Sequence, residues 1–133
     1  MKKVMVAFDG GEPATRALDT AIELHLALGG ELAVVSVVPV RAGRFPIDPW
    51  DDREVHARQL AEARDRLASR GVVAEFIEPA GDPAEEIERI AQQGGYDTIV
   101  MGSRNLGAVA RLMQGSVSEH VATHAKTTVV IAR

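Results

Sequence analysis

Short runs of β-branched and other apolar residues alternate with longer segments of helical periodicity along this whole chain. Such alternation is typical of βαβ units, in which a helix crosses over between parallel strands. We predict five strands, at residues 3–8, 31–38, 72–78, 98–101 and 127–132. Four helices are predicted between them, at about residues 12–28, at 51–69, from 83 onward and at 112–124. Because most strands are continuous apolar runs, we expect an α/β fold of three layers, a doubly wound parallel sheet with helices on both faces.

Composition narrows the class of protein further. The 133 residues suit one domain spanning residues 1–133, and the absence of cysteine excludes disulfides, thiolate metal sites and cysteine catalysis. The longest apolar run, residues 32–40, is far shorter than the roughly 20 residues of a membrane span, and the apolar stretch at the amino terminus is too short for a signal peptide. A net charge of -4 and a pI near 5.5 argue against a nucleic-acid binder. We therefore expect a cytoplasmic protein with neither nucleic acid nor membrane as its partner.

Helix boundaries are marked by recognisable residues. Gly29 and Gly30 end the first helix, and the stretch "GDPAEEI" opens the third, with Asp82 as cap and Pro83 at the first helical position. The polar face of the second helix is expected to be simply solvated; its charged residues are Arg53, Glu54, Arg58, Glu62 and Arg66.

One irregular loop, "RAGRFPIDPWDD" at residues 41–52, joins the second strand to the second helix. It is expected at the carboxyl edge of the sheet, where open α/β sheets bind ligands. Phe45 or Trp50 would there either close over a ligand or pack on the domain itself, and the sequence leaves both interpretations open.

Two strand ends carry the candidate chemistry. The first strand runs into "AFDGGEP", with Asp9 and two glycines, and the fourth runs into "GSRNLGAVARLMQGS", residues 102–116. Glycines let main-chain N–H groups approach an anion, a helix start adds partial positive charge, and Ser103 and Ser116 add hydroxyl donors. The pattern suits phosphate, although ordinary loop and capping residues would give the same composition.

Other kinds of site are weaker matches. His120 and His124 share a helical face, but no cysteine completes a zinc set and the other histidines are on other helices, so no metal site is predicted. No Gly-Lys followed by Ser or Thr is present for a Walker loop, and no Gly-x-Ser-x-Gly for a nucleophile elbow. A phosphoacceptor receiver would need an aspartate ending the third strand, which instead ends in Glu78 and Pro79.

The whole sequence resembles the universal stress protein family. The resemblance is carried by the first strand ending in Asp-Gly, by "GDPAEEI", by "YDTIVMGSR" and by "GSVSEHVATHAKTTVVIAR". The family's nucleotide signature is a glycine, two residues, a glycine, nine residues, then glycine with serine or threonine. Gly102 and the pair Gly115-Ser116 match this signature, whereas Asn105 stands where the second glycine belongs, and Gly11 stands where the family often has serine.

The resemblance implies a sheet of strand order 3-2-1-4-5 and an ATP site, with or without Mg²⁺. Asp9 would face the adenosine, the main chain near Ala7 and Val37 would contact the base, and the two glycine segments would wrap the phosphates. The predicted binding residues are Ala7, Asp9, Val37, Met101, Gly102, Ser103, Arg104, Asn105, Gly115, Ser116 and Val117.

Function is therefore expected to be ATP binding in stress response or signalling, with no catalytic residues and at most slow hydrolysis. A homodimer through the apolar fifth strand, from Thr127 to Ala132, is also predicted. The alternative is a nucleotide-free dimeric interaction module in which Asn105 and Gly11 mark a lost site. An enzyme of the wider adenine-nucleotide α-hydrolase-like group would need catalytic residues that are not found.

Overall fold

The computed structural model describes residues 2–39, 49–103 and 127–132. Their elements in chain order are the strands and helices β1 (Lys3–Ala7), α1 (Glu12–Leu28), β2 (Glu31–Val35), β3 (Val38–Pro39), α2 (Pro49–Ser69), β4 (Glu75–Ile77), β5 (Ala80–Gly81), α3 (Pro83–Gly94), β6 (Thr98–Gly102) and β7 (Thr128–Ala132). The predicted fourth helix, residues 112–124, and residues 41–48 of the predicted loop lie outside the described residues.

Five parallel strands form the main sheet, in the order β4-β2-β1-β6-β7. Numbered along the chain without the short β3 and β5, these strands have the expected order 3-2-1-4-5. The short strands β3 and β5 pair with each other in a second, two-stranded sheet that was not predicted. The third predicted strand is also shorter than expected, because residues 72–74 are not paired.

Helices cover both faces of the main sheet, so the three-layer α/β prediction is confirmed. On one face, alternate residues of β1 such as Val4 and Val6 pack with Leu18 of α1 and Leu67 of α2. On the other face, Met5 and Ala7 pack with Ile87 and other residues of α3. The period of two along β1 therefore divides the core into two apolar layers.

The helix ends follow the sequence signals. Gly29 has a φ of 74° and its N–H donates to the carbonyl of His25 at 2.8 Å, which ends α1. The carboxylate of Asp82 accepts a hydrogen bond of 3.1 Å from the N–H of Glu85 and so caps α3. Gly11 begins α1 without a side-chain cap.

The amino edge of the sheet is held by the carboxylate of Asp97, which precedes β6. One of its oxygens accepts from the N–H of Lys2 at 2.7 Å and of Lys3 at 3.2 Å, and the other accepts from the Thr98 hydroxyl at 2.8 Å. Burial by itself raises the pKa of Asp97, but these hydrogen bonds outweigh burial and the net pKa is lowered. Asp97 thereby ties the beginning of β1 to the beginning of β6.

One of the charged residues predicted on the solvated face of α2, Arg66, also forms an ion pair with α1. Arg66 donates to both carboxylate oxygens of Asp19 on α1, at 3.1 and 3.2 Å, and Arg70 donates to Glu23 at 2.6 Å. The first pair links α2 to α1, and the second links α1 to the residue that follows α2; all four side chains remain between 42% and 64% exposed. Such pairs contribute little to stability individually.

Candidate functional site

The carboxyl edge of the sheet brings together the two segments singled out from the sequence. Strands β1 and β6 are direct neighbours, with Val6 opposite Val100, so the turn after β1 and the segment after β6 leave the sheet side by side. The strand order reverses between β1 and β6, and open α/β sheets bind ligands in the crevice at the carboxyl edge of that position. Asp9, Gly10 and Gly11 lie on one side of the crevice, and Gly102 and Ser103 on the other.

The turn between β1 and α1 is built around Asp9. Its Oδ1 atom accepts a hydrogen bond of 3.1 Å from the N–H of Gly11, and Gly10 between them has a φ of 83°. The carbonyl of Gly11 then accepts from the Thr15 N–H at 2.9 Å, beginning α1. A glycine is required at position 10 because this φ is unfavourable for residues with a Cβ.

Gly102 allows β6 to approach the first turn of α1 closely. It is buried, and a Cβ placed on it would lie 2.5 Å from the carbonyl oxygen and 2.6 Å from the carbonyl carbon of Pro13. No side chain can move aside there, because the nearest atoms belong to the main chain. The first glycine of the sequence pattern therefore sets the contact between the two segments of the crevice.

The end of β2 forms the neighbouring part of the same edge. The N–H of Phe8 donates to the Val35 carbonyl, and the N–H of Ser36 donates to the Ile77 carbonyl, both at 2.9 Å. Ser36 is almost fully buried, at 1% exposure. Val37 follows it, half-buried against the apolar layer on the α3 side of the sheet.

Six of the predicted binding residues lie within the described chain. Asp9, Gly102 and Ser103 flank the crevice, and Val37 lies at the end of the neighbouring strand. The side chains of Ala7 and Met101 are buried in the α3-side layer, at 4% and 0% exposure, so a contact with a nucleotide would come from their main chain. The other predicted residues, namely Arg104, Asn105, Gly115, Ser116 and Val117, lie outside the described residues.

Two residues at this edge were not found from the sequence. Ser36 is a polar residue inside an apolar run, which was a usable signal. Gln59 of α2 lies against Gly10, since a Cβ on Gly10 would overlap its Cγ and Cδ atoms. Nothing in the helical pattern distinguishes Gln59 from other polar residues of α2.

Two further kinds of feature are absent from the described residues, a metal-ligand cluster and a membrane-spanning helix. No three histidine, aspartate or glutamate side chains there cluster as metal ligands would. Nor does any helix in the described ranges have both the length and the hydrophobicity to span a membrane. His120 and His124 lie outside these ranges. The Nδ1 atom of His25, in α1, is buried without a hydrogen-bond partner among the described residues.

A separate open pocket of about 470 Å³ lies at the opposite, amino edge of the sheet, beside Lys3, Glu31, Glu75 and Tyr96. The ammonium of Lys3 is 3.7 Å from Glu31, donates to the Gly94 carbonyl and lies 4.7 Å from the Tyr96 ring centre. Burial, with smaller effects of Glu75 and Glu31, raises the pKa of Tyr96. With its lysine already paired and a second carboxylate nearby, this pocket is poorly suited to an anionic ligand.

Comparison with known proteins agrees with this architecture. The sequence matches the model of the universal stress protein family over residues 1–133. It is 31% identical to the universal stress protein YxiE of Bacillus subtilis, with 98% of each chain covered. A universal stress protein family structure from Burkholderia pseudomallei is 32% identical with a TM-score of 0.70, over 98% of this chain and 94% of that one. A universal stress protein in complex with cAMP is 25% identical with the same TM-score, over 99% of this chain and 97% of that one. The chain belongs to the universal stress protein family.

Proposed function

We propose that this protein binds ATP, with or without Mg²⁺, at the carboxyl edge between β1 and β6, and acts in stress response through its nucleotide-bound state. The supporting observation is the close contact of Gly102 with Pro13, which brings the end of β6 against the first turn of α1, next to the turn that holds Asp9. This arrangement combines a carboxylate, glycine main chain and the start of a helix on one crevice. A carboxylate can accept hydrogen bonds from ribose hydroxyls, and glycine main chain at a helix start can hold anionic phosphates.

The likeness to a cAMP complex supports an adenine nucleotide as the ligand. In our proposal the adenosine lies toward Asp9 and the end of β2, with the main chain near Ala7 and Val37 on the base. The phosphates extend from Gly102 and Ser103 toward Arg104, Asn105 and the segment of Gly115, Ser116 and Val117. Cyclic AMP is the second candidate ligand, because it presents the same base and a single phosphate.

Turnover is not part of the proposed function. Asp9 is the carboxylate of the described crevice, and it already accepts the Gly11 N–H. An efficient ATPase also needs groups that orient water and stabilise charge on the transferred phosphoryl group. We expect at most slow hydrolysis, and a rate like that of a dedicated ATPase, lost in Asp9→Ala, would contradict this.

The test is calorimetric titration of ATP with Mg²⁺, AMP and cAMP into protein stripped of nucleotide, with Asn105→Gly in parallel. We expect saturable binding of ATP. If Asn105 must adopt a left-handed backbone on binding, at a cost of about 1–2 kcal/mol, the glycine variant should bind up to roughly tenfold more tightly. Absence of binding in both proteins at millimolar nucleotide would refute the proposal and favour the nucleotide-free interaction module.

A homodimer through β7 is proposed as the assembly. β7 is the outermost strand on its side of the described sheet, and Val129, Val130 and Ile131 are only partly buried there. The opposite edge, β4, is only three residues long, and Arg64 lies over its Phe76 ring at 4.7 Å. The longer apolar edge is the one that needs cover. Light scattering at tens of micromolar should give a dimer mass, and a monomer mass would contradict the proposal.

The cellular location of the protein, and its lack of nucleic-acid and membrane partners, are proposed from its charge and its short apolar runs. The net charge of -4 disfavours general binding to nucleic acid, and we propose a cytoplasmic protein with no membrane partner. Fractionation of cells that express the tagged protein, with nuclease and high-salt washes, tests these points together. Recovery in the membrane fraction, or in a nuclease-sensitive complex, would contradict them.

A further inference from the structure

The side chain of Gln59 packs directly on the turn that carries Asp9. A Cβ on Gly10 would overlap the Cγ and Cδ atoms of Gln59 and lie 2.5 Å from its Nε2 atom. Gln59 is half-buried, whereas Ala57 and Arg58 before it are exposed and Leu60 after it is 4% exposed. Among the described side chains of α2, Gln59 is therefore the first that is not exposed.

Gln59 contacts Gly10, the residue of the turn whose backbone conformation requires glycine. Gly10, with its φ of 83°, separates the Asp9 carboxylate from the Gly11 N–H that this carboxylate accepts. A glycine turn has many alternative conformations, and fixing one of them costs entropy. Contact with a side chain on a long helix removes part of that freedom before any ligand binds, which favours affinity by preorganisation.

The contact of Gln59 with Gly10 lies at the carboxyl edge of the sheet, on the side of α2. α2 begins at Pro49, and the ten residues before Gln59 correspond to about 15 Å of helix. Further along α2, Ala63 and Leu67 pack in the apolar layer that contains Val4 and Val6 of β1, and the chain then continues to β4. Gln59 therefore lies beside the turn of Asp9, with the first half of α2 before it.

We propose that Gln59 is a positioning residue of the nucleotide site: by packing on Gly10 it holds the Asp9 turn in the shape that receives the ribose. The inference rests on the proposed nucleotide binding. It assigns the effect to the unbranched side chain of Gln59 and not to a bond between its carboxamide and the ligand. Gln59 acts through Asp9.

Titration of ATP into the wild type and five variants tests the assignment. We expect Gln59→Ala to weaken binding about 3- to 10-fold and Gln59→Met, which keeps the unbranched length, to bind within twofold of the wild type. In an Asp9→Ala background, Gln59→Ala should cause no further loss, because the turn no longer has a carboxylate to position. The matched control is Gln92→Ala, which removes an exposed glutamine side chain of α3, the helix on the other face of the sheet. This variant should bind ATP as the wild type does.

Three results would overturn the assignment: unchanged binding by Gln59→Ala, a loss that Gln59→Met does not restore, or a loss that persists without Asp9. Hydrogen exchange of the Gly11 amide separates this inference from the proposed function, because it needs no ligand. If the wild type binds no nucleotide, the proposed function fails, yet Gln59→Ala should still accelerate Gly11 exchange and Gln59→Met restore it. Unchanged exchange would remove the positioning role itself.

Discussion

Replacement of Gly102 by alanine measures how closely β6 and α1 approach each other. The added methyl group would lie 2.5 and 2.6 Å from the carbonyl oxygen and carbon of Pro13, and 2.9 Å from its Cβ. Comfortable separations between such atoms are about 3.5–4.0 Å. The strand and the helix must therefore separate by about 1 Å. Because α1 is also fixed by buried residues such as Ala14 and Leu18, the whole helix start must shift.

The magnitude follows from two opposing terms. Overpacking of a rigid interior costs about 1–3 kcal/mol, and the upper half of this range applies because the atoms in conflict are main-chain atoms. The variant regains about 0.4–1 kcal/mol, since alanine has less freedom than glycine in the unfolded chain. We expect Gly102→Ala to lower the free energy of unfolding by about 2 kcal/mol, or the Tm by roughly 8 °C for a chain of this size.

Urea unfolding followed by circular dichroism is the assay, with Gly71→Ala as the control. Gly71 has a φ of 67°, and a Cβ added to it would meet nothing within 4 Å, so its variant isolates backbone strain from steric conflict. That strain costs about 1–2 kcal/mol before the same unfolded-state gain is subtracted. If Gly102→Ala is less destabilising than Gly71→Ala, or within about 0.5 kcal/mol of the wild type, the close approach is not rigid.

Three further predictions concern single contacts. Asp82→Ala should lower the free energy of unfolding by about 0.5–2 kcal/mol through loss of the cap on Glu85, with Asp82→Ser close to the wild type by thermal melting. Asp97→Ala should cost about 0.5–1.5 kcal/mol in urea unfolding by removing its hydrogen bonds, whose donors water can partly satisfy. Because folding lowers the pKa of Asp97, its contribution to the free energy of unfolding should be complete above pH about 4 and be lost as the pH falls through the folded pKa. The Asp97→Ala variant should lack this part of the pH dependence of stability. Asp19→Asn should cost less than about 1 kcal/mol, and unfolding in 1 M salt should show a smaller difference, since its pair with Arg66 is exposed.

The sequence predicted the features that depend on local chemistry or on burial. Continuous apolar runs identified the five strands of the main sheet, and Asp82 with Pro83 marked the start of α3. The two-stranded sheet of β3 and β5 was missed because Val38–Pro39 and Ala80–Gly81 have no strand pattern of their own. Their pairing continues that of β2 with β4, through the bond from the Ser36 N–H to the Ile77 carbonyl, and is therefore set by tertiary structure.

The candidate site divides in the same way. Asp9 and Gly102 were predicted because a carboxylate and a glycine at adjacent strand ends form a recognisable pattern. Gln59 was missed because it reaches the site from a distant helix, through a contact that depends on how α2 packs. The strand predicted at residues 72–78 starts too early, because Val72 is buried against helices without pairing and Val73 is 89% exposed.

Hydrogen bonds stabilise the amino edge of the sheet, whereas side-chain packing shapes the turn at its carboxyl edge. Substitutions at the two edges should therefore affect the free energy of unfolding and the nucleotide affinity separately. At the amino edge, Asp97 binds the main chain of β1, and the Lys2 carbonyl accepts the Glu31 N–H at 2.8 Å, so three strands are joined by hydrogen bonds. At the carboxyl edge, the glycine turn of Asp9 depends on packing by Gln59. Substitutions at Asp97 should therefore change the free energy of unfolding without changing nucleotide affinity below the melting transition. Gln59→Ala should lower nucleotide affinity with little change in the free energy of unfolding, because a helix favours alanine and the lost contact is confined to the turn.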